Sequence, residues 1–398
     1  MGAQAQETLS VWLPPTDQVQ AIVKASHGIL AAQSQHAAQL QRARATEVGT
    51  GEFNLRMSQQ NRRAIDSGGR FNEQLVSLER PVRWWGKAGL DTQLAEQSRK
   101  AASIGYADAL HEASRELMRQ WFELHKLALA RDGAAAQAQL SQELNRQAQL
   151  RLKQGDISQL DASLAQAELQ RAQAAVAVSQ AQWTAAWAQV QKRYPGLPEP
   201  TWPAVQGDVP DLPALQPLLQ EFLQNHHELN LRRAQVQGLR LQAERMDRDR
   251  LPDPVLGLYA ARERAGAESI VGVSVGFALP GSARQAHAAA VLAEANQLEE
   301  QVQQMTLDLG SAFEAHWVNL NLQRQALIDL QSAAQTQAKA VQQSLKAFAM
   351  GEHSMTELIQ NRRLAQESWR ESQKLQLELA ESWALMNLDL HRIWDFDD

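Results

Sequence analysis

The sequence predicts a mixed α and β chain of two tandem structural repeats, each with long antiparallel helices and one β-hairpin. Three observations predict it. The run RLKQGDISQLD, Arg151 to Asp161, returns near the other end as LKAFAMGEHSMTELI. Gly155 falls on Gly351, Ser158 on Ser354, Asp161 on Glu357 and Trp187 on Trp383, all at an offset of 196 residues. A second set, His27 on His226, Leu30 on Leu229 and Pro81 on Pro280, runs at 199, so a three-residue indel parts the two sets. A repeat on this scale governs the whole fold. Next, proline is missing between Pro81 and Pro195 and again after Pro280, which leaves room for helices of about 70 residues, about 100 Å each. Last, two Gly-containing tips are flanked by runs that alternate apolar and polar residues, the pattern of β-hairpins.

The first repeat occupies residues 1–198. A helix is predicted from Thr16 to Ala45, with Thr16 or Asp17 as N-cap and Gly49 and Gly51 beyond its end. The hairpin covers 52–81: Phe53, Leu55 and Met57 share one face, Glu52, Asn54 and Arg56 the other, and Gly68 and Gly69 sit in the tip. A long helix follows over 86–153, in which Leu110, Leu117 and Leu124 stand at coiled-coil spacing. Gly133 weakens it by about 1 kcal/mol relative to Ala. The chain turns over 154–158 and returns as a helix over 158–193.

Seven of the thirteen prolines crowd into 194–217, the join between the repeats. The second repeat, 199–398, begins with a helix over 214–250 that breaks at Leu251-Pro252-Asp253-Pro254. Its hairpin covers 255–279. There Val271, Val273, Val275, Phe277 and Leu279 share one face, and Ile270, Gly272, Ser274, Gly276 and Ala278 share the other. The second long helix is predicted over 282–350, with Val291, Leu298 and Met305, then Phe313, Leu320 and Leu327, spaced by seven. The second tip is 351–354 and the last helix 355–393.

Composition removes several classes of function. Apolar residues make up 44%, much of it Ala, while aromatics are only 6%, which suits closely packed helices more than a large conventional core. The net charge of −6 argues against nucleic acid. With no cysteine there is no disulfide, thiolate metal site or lipid anchor on cysteine. No run approaches the eighteen apolar residues of a spanning helix. The opening MGAQAQETLS lacks the apolar core of a signal peptide. Neither HExxH nor an i, i+4 histidine pair occurs, and Met350, His353 and Met355 have no counterpart at the first tip, so neither a metal site nor a cofactor is predicted. No catalytic triad, phosphate loop or nucleotide fingerprint appears, and an enzyme is not predicted.

A strand pair apolar on one face and polar or small on the other suits a membrane β-barrel, lipid outside and water inside. A soluble hairpin packed on a core shows the same pattern. Four strands cannot close a barrel, for which eight is about the minimum, and open edges do not survive in lipid. Closure therefore demands oligomerisation, and three copies supply twelve strands.

The order helix, hairpin, long helix, Gly-x-x-Ser turn, helix, written twice from about Thr16 to Ile393, resembles the TolC-like outer-membrane efflux channels, the outer-membrane factor of tripartite exporters. The resemblance implies a homotrimer in the bacterial outer membrane, with a twelve-stranded β-barrel and a helical α-barrel reaching through the periplasm. It implies a passive conduit partnered by a periplasmic adaptor and an inner-membrane pump. The adaptor would dock on the tips, Gly155, Asp156, Ile157 and Ser158 with Gly351, Glu352, His353 and Ser354. Asp161 and Glu357 would line the constriction, nearly two turns into the returning helices. Val271, Val273, Val275 and Phe277 would face outer-membrane lipid, and Trp84 and Trp85 would lie at the membrane interface. Trp187 and Trp383 read as core packing. The run ERPVRWWGKAG, Glu79 to Gly89, resembles the branch exporting divalent heavy-metal cations, although Ala88-Gly89 departs from its usual basic residue. Other substrates, namely drugs, small molecules or secreted protein, stay open. So does a coiled-coil scaffold without a channel.

Overall fold

A computed structural model describes residues 9, 11–49, 51–63, 65, 68–84, 86–200, 212–279 and 281–396. They form α1 (Thr16–Ala25), α2 (His27–Val48), β1 (Asn54–Arg63), β2 (Arg70–Pro81), α3 (Lys87–Gln154) and α4 (Gln159–Arg193). The second half gives α5 (Leu215–Asn225), α6 (His227–Asp247), a 3-10 turn (Arg248–Arg250), β3 (Pro254–Glu263), β4 (Glu268–Phe277), α7 (Ala283–Met350) and α8 (Met355–Asp389). The repeat is visible in the lengths: α3 and α7 both have 68 residues, and α4 and α8 both have 35.

Two sequence expectations are corrected. The helix predicted from Thr16 to Ala45 is two helices, broken where Ser26 takes extended backbone (φ −68°, ψ 143°). The helix predicted over 214–250 breaks likewise at His226 (φ −60°, ψ 114°) and tightens into the 3-10 turn after Asp247. Ser26 and the Asn225-His226-His227 run are weak helix formers. A one-residue break leaves the apolar period almost unchanged, so periodicity does not register it.

The described residues fall into two compact units. One comprises those within Met1–Ala31, Ala107–His226 and Asp308–Asp398. Its core follows the predicted spacing, since Leu110, Leu117 and Leu124 on α3 and Phe313, Leu320 and Leu327 on α7 are all buried. Trp383 is buried too, while half-buried Trp187 stacks on Trp183. Ion pairs tie α3 to α8: Lys126 lies 2.7 Å from Glu381 and Arg115 lies 2.7 Å from Asp389. Gly133 does not interrupt α3; the ring of Trp369 packs where its Cβ would be, 3.5 Å away.

The other unit comprises Ala32–Tyr106 and His227–Leu307. It holds one antiparallel sheet in the order β1-β2-β3-β4, so the two hairpins lie side by side through the β2–β3 pairing. The helices of this unit are joined by polar contacts, such as Gln97 donating to the Ala234 carbonyl at 2.8 Å. No described helix is long and apolar enough to cross a membrane.

Candidate functional site

Register decides what each face of the sheet carries, because directly paired residues point the same way. Leu55 pairs with Leu78, Leu78 with Leu258, and Leu258 with Val273. In the next row Met57, Val76, Ala260 and Val271 are joined in the same manner. One face is therefore apolar across all four strands, and it is bare: Val271 is 83% exposed and Val273 75%, with Val275 and Phe277 also exposed. The opposite face is mixed: Ser77, Gly257, Ser274 and Gly276 stand there with Glu73 and Glu79 but also with Leu75, Val255 and Ile270. At Gly272 an added Cβ would come within 2.5 Å of the end of the Tyr259 side chain, so a larger residue there needs that ring to move.

Where strands pass into helices, a collar of charges holds the turn. Lys87, whose side chain is 1% exposed, places Nζ 3.1 Å from Asp249, 3.1 Å from Asp253 and 2.8 Å from the Leu251 carbonyl. Arg83 donates to Asp91 at 2.8 Å and to the Val48 carbonyl at 2.7 Å. Arg245 bridges Asp91 at 2.6 Å and Asp249 at 2.7 Å. Burial pushes the Asp249 carboxyl up, but hydrogen bonds from Arg245 and Lys87 outweigh this and hold it below its usual range. Sequence reasoning missed the collar. Its only linear trace is a density of Arg and Asp in 245–253, which by itself reads as a solvated surface. The Trp84 side chain is exposed, and its backbone N–H donates to Asp253 at 3.1 Å. Trp85 lies outside the described residues.

The two tips are built alike. Gly155 (φ 81°) and Gly351 (φ 79°) hold left-handed backbone, which favours glycine. At each, the next N–H reaches back to the last helical turn: Asp156 to the Arg151 carbonyl and Glu352 to the Ala347 carbonyl, both 2.9 Å. The returning helices then start with reciprocal caps. Ser158 Oγ accepts from the Asp161 N–H at 3.1 Å, and Asp161 Oδ2 accepts from the Ser158 N–H at 3.2 Å. Ser354 and Glu357 repeat this at 3.2 and 2.7 Å. The Ser354 N–H and hydroxyl hold the Glu357 carboxyl below its ordinary range. Asp161 and Glu357 thus lie in the first helical turn, not nearly two turns in, because each helix starts only after its serine cap.

Gly155, Asp156, Ser158, Gly351, Glu352 and Ser354 are exposed. Ile157 joins Leu164, Leu345 and Phe348 around a buried cluster of Leu144, Ala148, Ala165, Met355, Leu358 and Ile359. His353 Nδ1 lies 3.1 Å from Ser344 Oγ, which also accepts from Asn361 at 3.1 Å. Met355 is in that cluster while Met350 is exposed, so the three soft ligands of the second tip do not converge. The tips come together: a groove of about 500 Å³ is lined by Arg151, Gly155 and Asp161 from one and Phe348, Gly351 and His353 from the other.

No family model matches the chain, and no curated protein matches it. Solved structures do. It is similar to the outer-membrane channel OprN, at 15% identity and TM-score 0.79, over 98% of this chain and 92% of that one. The CmeC outer membrane channel of Campylobacter jejuni gives 13% and 0.75, over 98% and 86%. The outer membrane protein VceC of Vibrio cholerae gives 14% and 0.74, over 98% and 95%. With nearly full coverage on both sides and both hairpins in place, the chain has the fold of the TolC-like outer-membrane channels.

Proposed function

We propose that this chain is the outer-membrane channel subunit of a tripartite export system, a passive homotrimeric conduit from periplasm to exterior. The observation that carries the reading is the four-stranded sheet with one bare apolar face. Such a face is stable against lipid, and β1 and β4 each pair on one side only among the described strands. The direction of β4 is antiparallel to the β1 of a next copy, so three copies close one continuous twelve-stranded ladder. Val271, Val273, Val275 and Phe277 then face hydrocarbon, and the Ser and Gly face lines water. Trp84 lies beside the strand ends, where indoles favour the headgroup level.

The tips serve as the periplasmic end. Their exposed backbone turns, Gly155 to Ser158 and Gly351 to Ser354, form the surface for a periplasmic adaptor, which couples the conduit to an inner-membrane pump. Three copies of Asp161 and Glu357 place carboxylates at this end, which draws cations to it. Substrate class rests on the resemblance of Glu79–Gly89 alone, which gives divalent heavy-metal cations. Within that run Arg83 and Lys87 are engaged in the collar. The test is extraction. The protein should leave membranes only in detergent and migrate as a trimer that heat dissociates. Release into buffer without detergent, or a monomer in detergent, overturns the proposal.

A further inference from the structure

Charge is segregated between the two faces of the sheet. On the face of Val273 the charged residues of the described strands are Arg63, Arg70, Arg80 and Arg262, with no Asp or Glu. The carboxylates Glu73, Glu79, Glu263 and Glu268 all lie on the opposite face. Arg80, at the helix-bearing end, is engaged: Nε donates to the Gly51 carbonyl at 2.9 Å, and the guanidinium lies 4.8 Å from the Phe53 ring centre. The other three lie at the far end, beyond Met57, Val76, Ala260 and Val271.

Arg63 and Arg70 are direct cross-strand partners, an arrangement that like charges oppose. Both are exposed, as is Arg262, and none of the three forms an ion pair among the described residues. Arg62, one residue away but on the other face, has Glu73 at 3.0 Å. Between the Arg63–Arg70 pair and the apolar band lie two amide rows, Gln59–Gln74 and Asn61–Asn72, with Arg262 in the first of them as the partner of Gln74 and Gln59 donating to Asn72 at 3.1 Å. Among the described strand residues, this end of the apolar face offers cations and amide groups and no carboxylate.

We propose that Arg63, Arg70 and Arg262 form an outward belt that binds the phosphate monoesters of an anionic glycolipid in the outer leaflet. The inference rests on the proposed function, which makes the helix-bearing end of the sheet periplasmic and the far end external. A phosphate monoester carries close to two negative charges and three acceptor oxygens. Two adjacent guanidinium forks match it, each able to pair bidentately. A phosphodiester lipid brings one charge and leaves the Arg63–Arg70 pair half neutralised. The amide rows supply donors and acceptors for sugar hydroxyls.

The test uses detergent-purified trimer titrated with a glucosamine lipid bearing two phosphate monoesters, read by native mass spectrometry, with phosphatidylglycerol as the diester comparison. Arg63→Gln with Arg70→Gln and Arg262→Gln should weaken glycolipid binding about tenfold or more, since charge-assisted hydrogen bonds are lost. Arg56→Gln, on the inward face, should leave it unchanged. Glycolipid binding unaltered in the triple variant, or phosphatidylglycerol bound equally well by the wild type, overturns the belt. A detergent-requiring trimer that ignores the glycolipid refutes this inference alone, whereas a detergent-free monomer refutes the channel reading beneath it.

Discussion

Lys87, at the first turn of α3, holds its ammonium 3.1 Å from Asp249 in a side-chain environment that is 1% exposed. The pair links the helix leaving the first hairpin to the turn entering the second. A buried ammonium needs its carboxylates: removing one partner of a buried pair costs about 3–5 kcal/mol. Asp249 keeps 40% of its side-chain exposure, which screens the interaction. Lys87→Met should therefore destabilise the protein by about 2 kcal/mol, below the range for a fully buried pair. A lower heat-dissociation temperature of the oligomer checks this, and no change would show that the collar contributes nothing.

The collar should also weaken in acid. Because hydrogen bonds depress the Asp249 carboxyl in the fold, its contribution is complete above about pH 4 and is lost as pH falls through the folded-state value. Asp249→Asn should remove this dependence, read as heat stability across pH 3 to 5.

His125 sets a second, higher window. Burial pushes its imidazole down from 6.5 to about 4, against the opposing hydrogen bond to the Trp12 carbonyl at 3.2 Å. The folded state thus binds fewer protons than the unfolded chain between these values. The stability is fully present above pH 6.5 and declines by about 1.4 kcal/mol per pH unit down to about 4. In His125→Gln, unfolding midpoints at pH 7.5 and pH 5 should differ less than in the wild type. An identical difference would contradict the assignment.

On the sheet, Val273→Arg should impair membrane insertion more than Ser274→Arg. An arginine on a lipid face costs roughly 2–4 kcal/mol at the bilayer midplane, and one facing water costs little. Gly272 is a poorer inward comparison, since a side chain there would also displace Tyr259. Equal losses on both faces would invert the assigned register.

At the tips, Gly155→Val with Gly351→Val should abolish export while trimer and insertion persist. Neither site has a neighbour within 4 Å of an added Cβ, so the penalty is purely one of backbone conformation. It amounts to about 1–2 kcal/mol per site. Full export by the double variant would separate the tips from adaptor docking.

For the carboxylates, Asp161→Asn with Glu357→Gln should lower cation selectivity in single-channel recordings and weaken block by divalent cations from the tip side. Because both acids also cap helices, Ser158→Ala with Ser354→Ala is the necessary comparison. It should cost about 1 kcal/mol per cap and leave selectivity unchanged. If the serine variant alters selectivity as much as the acid variant, the effect belongs to capping and not to charge.

The elements and their doubling are legible in the chain alone. Gly155 and Gly351 mark turns because only a residue without Cβ rests easily at positive φ, and proline's absence permits helices of 68 residues. The alternation ending at Val271, Val273 and Val275 settled the apolar face, since side chains alternate strictly along a strand. Contacts between pairs distant in the chain leave no mark in linear spacing. The β2–β3 register that aligns Leu78 with Leu258, and so makes one apolar face from two hairpins, has no turn between its strands to set it. The collar joins Lys87 to Asp249 and Asp253, and Asp91 to Arg245, all more than 150 residues apart, where linear spacing carries no distance information. Asp161 and Glu357 matched across the repeat. That each also caps its helix depends on where the helix starts, which the serine hydroxyl bonded to its N–H sets.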